Sequence, residues 1–202
     1  MKWLRREGFD LHAVTYWVLD TETTGFDVRK DRILSVGGVR VEGGTVLART
    51  AREWFVRGEE GLGESPTIHG ITREQLEAGV SEAAVWSALE AEADAVWVAH
   101  YAAFDRDMLE ALRRRAGGPE RAVRWLDTMD LETALHPSKA RNAEALKLDT
   151  LLAGYGIEAV QRHSALGDAY STALLLQRQL AALRARGVRL SDALHRPRRG
   201  LL

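Results

Sequence analysis

Two acidic residues follow directly on an apolar segment near the start of the chain, and this junction constrains the fold more than any other feature. The run from Val14 to Leu19 is rich in β-branched and aromatic residues, which predicts a buried strand. Asp20 and Glu22 come next, and because side chains alternate along a strand they point to the same face. Two like charges so close raise each other's pKa or bind a cation. One alternative remains open: Asp20 only caps a turn, and Glu22 is solvated.

A second apolar run, residues 95–99, leads into the segment His-Tyr-Ala-Ala-Phe-Asp at 100–105. In the helical pattern that follows, Asp105 shares one face with Met108 and Leu109. The spacing therefore places Asp105 at the edge of a buried stripe. Taken by itself, Asp105 can also be an ordinary acid of a first helical turn, where the helix dipole favours negative charge.

A third motif, His-Ser-Ala-Leu-Gly-Asp at 163–168, precedes a long apolar stretch that extends to Leu183. Asp168 falls in the first turn of the predicted helix, and His163 lies in the loop before it. Read alone, this motif also fits a surface histidine and an acid that interacts only with the helix dipole.

The three motifs in this order resemble the DEDDh (DnaQ-like) 3′–5′ exonuclease superfamily, which includes the epsilon proofreading subunit of bacterial DNA polymerase III, ribonuclease T and oligoribonuclease. The resemblance extends from Trp17 to Leu180. The segments Ile-His-Gly-Ile at 68–71 and Leu-Asp-Thr at 126–128 are similar to two further segments of that superfamily. The resemblance implies an α/β fold, a ribonuclease H-like mixed sheet flanked by helices, in a single domain.

Strand and helix patterns agree with such a fold, because three hairpin-like strands precede alternating strands and helices. The predicted strands lie near 14–20, 33–41, 46–56, 95–99 and 124–127, and the turn signal Glu-Gly-Gly at 42–44 joins the second to the third. The predicted helices lie near 82–93, 104–116, 128–135, 147–154 and 166–185. The exonuclease domain is assigned to 14–185, between an N-terminal lead at 1–13 and a short basic tail at 186–202.

The resemblance also implies a two-metal site that binds Mg²⁺ or Mn²⁺, hard ions that prefer oxygen ligands. Its acids are Asp20, Glu22, Asp105 and Asp168. By similarity Asp20 bridges both ions, Glu22 and Asp168 support the ion beside the attacking water, and Asp105 acts partly through ordered water. His163 is the expected general base, because an imidazole titrates near neutrality.

Four further residues are expected to contact the terminal nucleotide by the same resemblance. They are Thr21 and Thr23, through the backbone of their segment, and His69 and Phe104, beside the last bases. A histidine at 69 that only supports the turn at Gly70 is an open alternative. One departure stands out, because Tyr101 replaces the asparagine that the superfamily usually has, which leaves strand positioning or substrate preference open.

Composition narrows the class of protein. The 202 residues include no cysteine, which excludes disulfides, thiolate metal sites and a thiol nucleophile. The chain carries a net charge of −1. The small net charge argues against a broad DNA-coating surface. Nothing near the N-terminus resembles a secretory signal, and no apolar run approaches the roughly 20 residues that span a membrane. A cytoplasmic protein without a membrane partner is expected.

The leading hypothesis is a metal-dependent exonuclease that removes nucleoside 5′-monophosphates from 3′ ends of single-stranded DNA. An exoribonuclease that trims RNA or degrades short oligoribonucleotides is the nearest alternative, and a non-catalytic nucleic-acid-binding subunit of a polymerase is the alternative from another class. Only residues 187–202 follow the last predicted helix. A stand-alone nuclease is therefore expected, polymerase association is possible but not favoured, and the oligomeric state is open.

Overall fold

The strand that carries the first two acids is the centre of the sheet in the computed structural model, which describes residues 13–58 and 70–186. The predicted lead and tail lie outside these ranges except for residues 13 and 186. The five strands are β1 (Tyr16–Thr23), β2 (Ile33–Glu42), β3 (Thr45–Phe55), β4 (Val96–Ala99) and β5 (Arg124–Asp127). They are ordered β3-β2-β1-β4-β5, so the predicted mixed α/β sheet is confirmed.

The sheet is antiparallel on one side of β1 and parallel on the other. β2 pairs antiparallel with both β1 and β3, whereas β4 pairs parallel with β1 and β5. Gly43 and Gly44 form the predicted two-residue hairpin turn, with φ of 57° and 76°. Positive φ at both positions suits the twist of a hairpin and favours glycine.

β1 extends three residues beyond its predicted end at residue 20. The antiparallel partner continues alongside it, since Glu22 pairs with Ser35 and Thr23 pairs with Ile33. The parallel partner does not, because β4 pairs only with residues 16–18 of β1. The acids therefore lie inside a strand, and from Leu19 onward β4 no longer pairs with one edge of that strand.

The residues that the structure describes form six α-helices around the sheet. They are α1 (Arg73–Glu77), α2 (Glu82–Glu90), α3 (Ala102–Arg115), α4 (Thr128–Leu135), α5 (Leu148–Gly154) and α6 (Ala165–Ala185). Trp17 and Leu19 of β1 pack with α2 and α3, whereas Tyr16 and Val18 pack with α4 and α6. Because side chains alternate, Asp20 and Glu22 continue the series that faces α6.

Helix bounds differ from the predicted ones in small ways. α2 ends at Glu90 instead of 93, because the next residues form tight turns in which the amides of Glu92 and Ala93 bond three residues back. α3 begins two residues early, at Ala102. The five-residue helix α1 was not predicted, although Thr72 and Gln75 form a reciprocal capping box that marks its start.

A buried carboxylate fixes the position of α6. Glu132 of α4 is fully buried and accepts hydrogen bonds from Lys139 Nζ at 2.7 Å, Tyr155 Oη at 2.9 Å and Gln179 Nε2 at 3.1 Å. Burial alone would raise the pKa of Glu132, but these donors outweigh it and the pKa is lowered. The network ties α6 to α4 and to the segment around α5. No helix within 13–58 and 70–186 has the length and apolar character to cross a lipid bilayer.

Candidate active site

Three carboxylates that are distant in sequence converge at one end of the sheet. Asp20 and Glu22 of β1 and Asp168 in the first turn of α6 each offer an oxygen, and these oxygens lie within 4.8 Å of one another. Asp168 is buried, and the two acids of β1 are partly buried. The structure thus brings together three of the four acids expected to bind metal.

A glycine lets α6 approach β1 closely enough for this contact. Gly37 of β2 pairs with Asp20, and a Cβ at Gly37 would lie 2.2 Å from the Leu166 nitrogen and 2.3 Å from the Ala165 carbonyl carbon. The helix start therefore rests on bare strand backbone. Ser164 caps this start by accepting a hydrogen bond from the Gly167 amide at 3.0 Å.

The fourth acid approaches β1 from the other face of the sheet. Asp105 in the first turn of α3 is only 3% exposed, and its Oδ1 accepts a hydrogen bond from the Thr21 hydroxyl at 2.8 Å. It lies outside the group of three but close enough that its charge raises the pKa of Asp20. Beyond residue 18, β4 no longer pairs with β1. The start of α3 can therefore approach this unpaired edge of β1.

Asp20, Glu22 and Asp105 have unusually high pKa values. Burial raises the pKa of Asp20 well above its ordinary value, and the charges of Asp105, Asp168 and Glu22 raise it further. Burial and the charge of Asp168 raise the pKa of Glu22 to about 7. Burial also raises the pKa of Asp105 to about 7, although the Thr21 hydrogen bond opposes this. Such a site favours protons or a bound cation.

Two charged residues near the cluster were not predicted from the sequence. Arg162 bonds through Nη1 to Oδ1 of Asp168, and its Nε donates to Oδ1 of Asp149 at 2.6 Å. Its positive charge lowers the pKa of both Asp20 and Glu22. The only sequence signal was the position of Arg162 directly before His163. Glu53 of β3 adds another negative charge near Glu22 and raises its pKa slightly.

His163, the expected general base, is exposed in the loop just before α6. Its backbone has φ of 64°, and its amide donates to Oδ2 of Asp168 at 3.3 Å. The left-handed backbone turns the chain so that His163 stands beside the acid cluster. This placement agrees with the sequence expectation, and the role of its imidazole stays a prediction.

The other expected substrate contacts fall near the same end of the sheet, with one exception. Phe104 is partly buried and packs against Phe26, with ring centroids 5.9 Å apart. Phe26 is 85% exposed and was not identified from the sequence, although it follows the acid motif closely. The Thr23 hydroxyl donates to the Gly25 carbonyl at 2.7 Å. His69 lies outside the described residues.

Tyr101 occupies a conformation that suits the asparagine it replaces. Its φ is 65°, and asparagine adopts this left-handed region more readily than tyrosine. The amides of Tyr101 and Ala102 donate to the two oxygens of Asp127 at 3.2 and 3.1 Å. Asp127 also caps α4 through the Met129 amide at 2.8 Å. The motif at 126–128 thus holds the start of α3, and Tyr101 is 54% exposed.

A cavity of about 620 Å³ lies on the face of the sheet opposite the acid cluster. It is lined by Thr24, by the start of β2, by α1 and α2, and by the end of α3. Its lining includes Glu82 but no cluster of acids, so the cavity does not offer the oxygen ligands of a metal site. We therefore assign the active site to the clustered carboxylates of Asp20, Glu22 and Asp168.

The donor set fits a hard divalent cation. Three carboxylate oxygens within 4.8 Å of one another can surround an ion that takes oxygen ligands at about 2.0–2.2 Å, such as Mg²⁺ or Mn²⁺. Burial and the charges of neighbouring carboxylates raise the pKa values of Asp20 and Glu22. The acid cluster therefore fits the metal dependence of the superfamily.

The RNase T family, described as an exonuclease family, matches residues 17–176. The chain belongs to this exonuclease family. The match confirms the predicted DnaQ-like 3′–5′ exonuclease superfamily and the assignment as an exonuclease enzyme.

Two sequence relatives of this exonuclease are much longer than the chain itself. The PolC-type DNA polymerase III of Staphylococcus saprophyticus is 29% identical over 188 residues, which cover 89% of the chain and 12% of the polymerase. The corresponding protein of Staphylococcus aureus is 28% identical over 180 residues, with 88% and 12% covered. The chain thus spans about an eighth of the length of these relatives.

Solved structures confirm the ribonuclease H-like fold of this exonuclease. Exonuclease I of E. coli in complex with a dT13 oligonucleotide has a TM-score of 0.71 and 19% identity, covering 89% of this chain and 43% of that one. Exonuclease X in complex with 5′ overhanging duplex DNA has a TM-score of 0.66 and 22% identity, covering 88% and 99%. At these identities the likeness concerns the fold alone.

Proposed function

We propose that the chain is a metal-dependent 3′–5′ exonuclease that hydrolyses single-stranded DNA from its 3′ end and releases nucleoside 5′-monophosphates. The observation that carries the proposal is the convergence of Asp20, Glu22 and Asp168, with Asp105 buried beside them. Four acids in one place are costly to bury unless a cation is bound there. The exonuclease family supplies the reaction class.

Asp20, Glu22, Asp105 and Asp168 would hold two Mg²⁺ or Mn²⁺ ions. When bound, such ions stabilise the charge that develops on the scissile phosphate and on the leaving oxygen. His163 would accept the proton of the attacking water, since it is exposed, its amide bonds to Asp168, and histidine is the side chain that most often serves as a general base. Thr21 would act chiefly by holding Asp105.

The Phe26 and Phe104 rings offer a surface for unpaired bases next to the acids. An aromatic ring stacks on any base, so contact of this kind tolerates every sequence. One ring is mostly exposed and the other supports it. Exonuclease I was solved with a single-stranded oligonucleotide, which supports single-stranded DNA as the substrate here.

A degradation assay with matched DNA and RNA oligonucleotides tests this function. Each oligonucleotide carries a 5′ label and is incubated with Mg²⁺, with Mn²⁺ or with a chelator. We expect a ladder that shortens from the 3′ end of DNA with either metal, nucleoside 5′-monophosphates as product, and no cleavage with chelator. Faster shortening of RNA would replace the DNA assignment by the ribonuclease alternative. Binding without cleavage under every metal condition would overturn the enzyme.

Variants assign the roles within that assay. Asp168→Asn should abolish cleavage, and His163→Ala should lower kcat by about 10² to 10⁴, the usual contribution of a general base. His163→Ala should leave Mn²⁺ affinity unchanged, because the imidazole is not among the expected ligands. Weaker Mn²⁺ binding in that variant would make His163 a metal ligand instead.

We also propose that the protein acts in the cytoplasm without a polymerase partner. The matching segments of the relatives belong to polymerases, so the partner question needs its own test. Stable co-purification of the natural protein with a polymerase would overturn the stand-alone assignment.

A further inference from the structure

One guanidinium joins the acid cluster to a neighbouring helix. Arg162 Nη1 contacts Oδ1 of Asp168, and Arg162 Nε donates to Oδ1 of Asp149 on α5 at 2.6 Å. The Arg162 side chain is 23% exposed and that of Asp149 is 68% exposed. Arg162 thus lies between a solvated acid and a buried acid of the candidate metal site.

The contact falls on a carboxylate that the metal also needs. Asp168 belongs to the three acids whose oxygens lie within 4.8 Å of one another. Its Oδ1 is bonded to Arg162 and its Oδ2 accepts from the His163 amide at 3.3 Å. An ion that takes an Asp168 oxygen therefore meets the guanidinium as a direct competitor, and two positive charges at one carboxylate repel each other.

We propose that Arg162 is an internal counter-ion that competes with the divalent metal for Asp168, and that Asp149 lowers the cost of displacing it. This inference rests on the proposed metal-dependent nuclease site. The planar guanidinium presents several donors in a fixed arrangement, so Arg162 binds both acids at once. When Asp168 turns to a metal, Arg162 keeps its bond to Asp149 and is not left as an unpaired, partly buried charge.

Substitutions of Arg162 and of Asp149 should change the affinity for metal in opposite directions. Arg162→Gln removes the competitor and leaves the cluster more negative, so Mn²⁺ should bind more tightly, by about 5- to 50-fold within the usual range of coupling between two ligands. Asp149→Asn removes the partner that holds displaced Arg162, so Mn²⁺ should bind several-fold more weakly. The double variant should match Arg162→Gln alone, because Asp149 acts only through Arg162.

Calorimetric titration of the full chain with Mn²⁺, without nucleic acid and at fixed pH and ionic strength, measures these affinities. Arg121→Gln is the matched control, since it removes the same charge from an ion pair with Glu90, which is not one of the clustered acids. Its affinity should equal that of the parent protein. Circular dichroism and thermal melting of every variant verify that it folds.

The outcomes separate this inference from the proposed function. Unchanged or weaker Mn²⁺ binding by folded Arg162→Gln would overturn the competition, whatever the nuclease assay shows. A double variant that binds as weakly as Asp149→Asn would overturn the role of Asp149. If Asp20→Asn still binds Mn²⁺ like the parent, the metal site itself is misassigned.

Discussion

The hydroxyl of Thr21 donates a 2.8 Å hydrogen bond to Oδ1 of Asp105, a residue 84 positions further along the chain. Asp20 and Glu22 face α6, so Thr21 between them faces α3. Strand β1 thereby presents Asp20 and Glu22 to α6 and supports Asp105 of α3 on the opposite face of the sheet. The alternation of a single strand assembles the site from both faces of the sheet.

Thr21→Val should weaken the site without removing an acid. The Asp105 oxygen loses its donor, and a buried group left unsatisfied costs about 1–3 kcal/mol. The pKa of Asp105, already about 7, should rise because the Thr21 hydrogen bond lowers it, so the acidic limb of the pH–rate profile should move to higher pH. Thr21→Ser keeps the hydroxyl and should behave like the parent. An unshifted profile in Thr21→Val would show that Asp105 does not titrate in the reaction.

Stability without metal should fall as the pH rises from about 4 to about 7. The pKa values of Glu22 and Asp105 are raised to about 7 and that of Asp20 is also raised. The folded state therefore binds more protons than the unfolded state between the ordinary and the raised pKa values, and its free energy of unfolding decreases with pH in that window. Millimolar Mg²⁺ should reverse the trend near pH 7–8, because metal binds the deprotonated folded state.

Melting curves from pH 4 to pH 8, with chelator and with Mg²⁺, measure both effects. Asp20→Asn removes one of the repelling charges, so it should melt higher than the parent at pH 8 with chelator and gain less from Mg²⁺. A parent protein whose melting temperature with chelator rises from pH 5 to pH 7 would contradict the raised pKa values.

Gly37→Ala should damage the site although residue 37 carries no functional group. Its Cβ would lie 2.2 Å from backbone of α6, so the helix start and Asp168 must shift. We expect a loss of stability of about 1–3 kcal/mol, as for other overpacked sites, together with weaker Mn²⁺ binding. Gly154→Ala is the matched control, because a Cβ there meets no atom within 4 Å. Urea unfolding and metal titration of both variants check the prediction, which fails if Gly37→Ala binds Mn²⁺ like the control.

Tyr101→Asn should stabilise the protein by about 0.5–1 kcal/mol. The residue has φ of 65°, and a left-handed conformation costs less for asparagine than for other residues with a side chain. Tyr101→Ala removes the ring but keeps the strain, so comparing the two variants by urea unfolding isolates the backbone effect. If Tyr101→Asn is no more stable than Tyr101→Ala, the strain is not relieved by asparagine. The KM of Tyr101→Asn for single-stranded DNA, compared with that of the parent protein, would report whether the Tyr101 ring contacts the substrate.

Local chemistry was enough to predict most elements of the fold. The β-branched and aromatic run before Asp20 and the double-glycine turn at 43–44 act through neighbours in sequence, so their effects can be read from the chain. The short helix α1 was missed although its capping box is local. The end of β1 was misplaced because β2 keeps pairing with it beyond the acids, which is a contact between distant residues.

The sequence alone determined that this chain carries four acids and a histidine in the order of an exonuclease family, next to predicted strands and helices. The tertiary structure decided what those acids meet: the bare backbone of Gly37 beneath α6, the hydroxyl of Thr21 beneath Asp105, and the Arg162 guanidinium on Asp168. These contacts depend on packing between helices and strands distant in sequence, and no local pattern encodes such distances. The charge balance of the site is therefore a property of the folded protein.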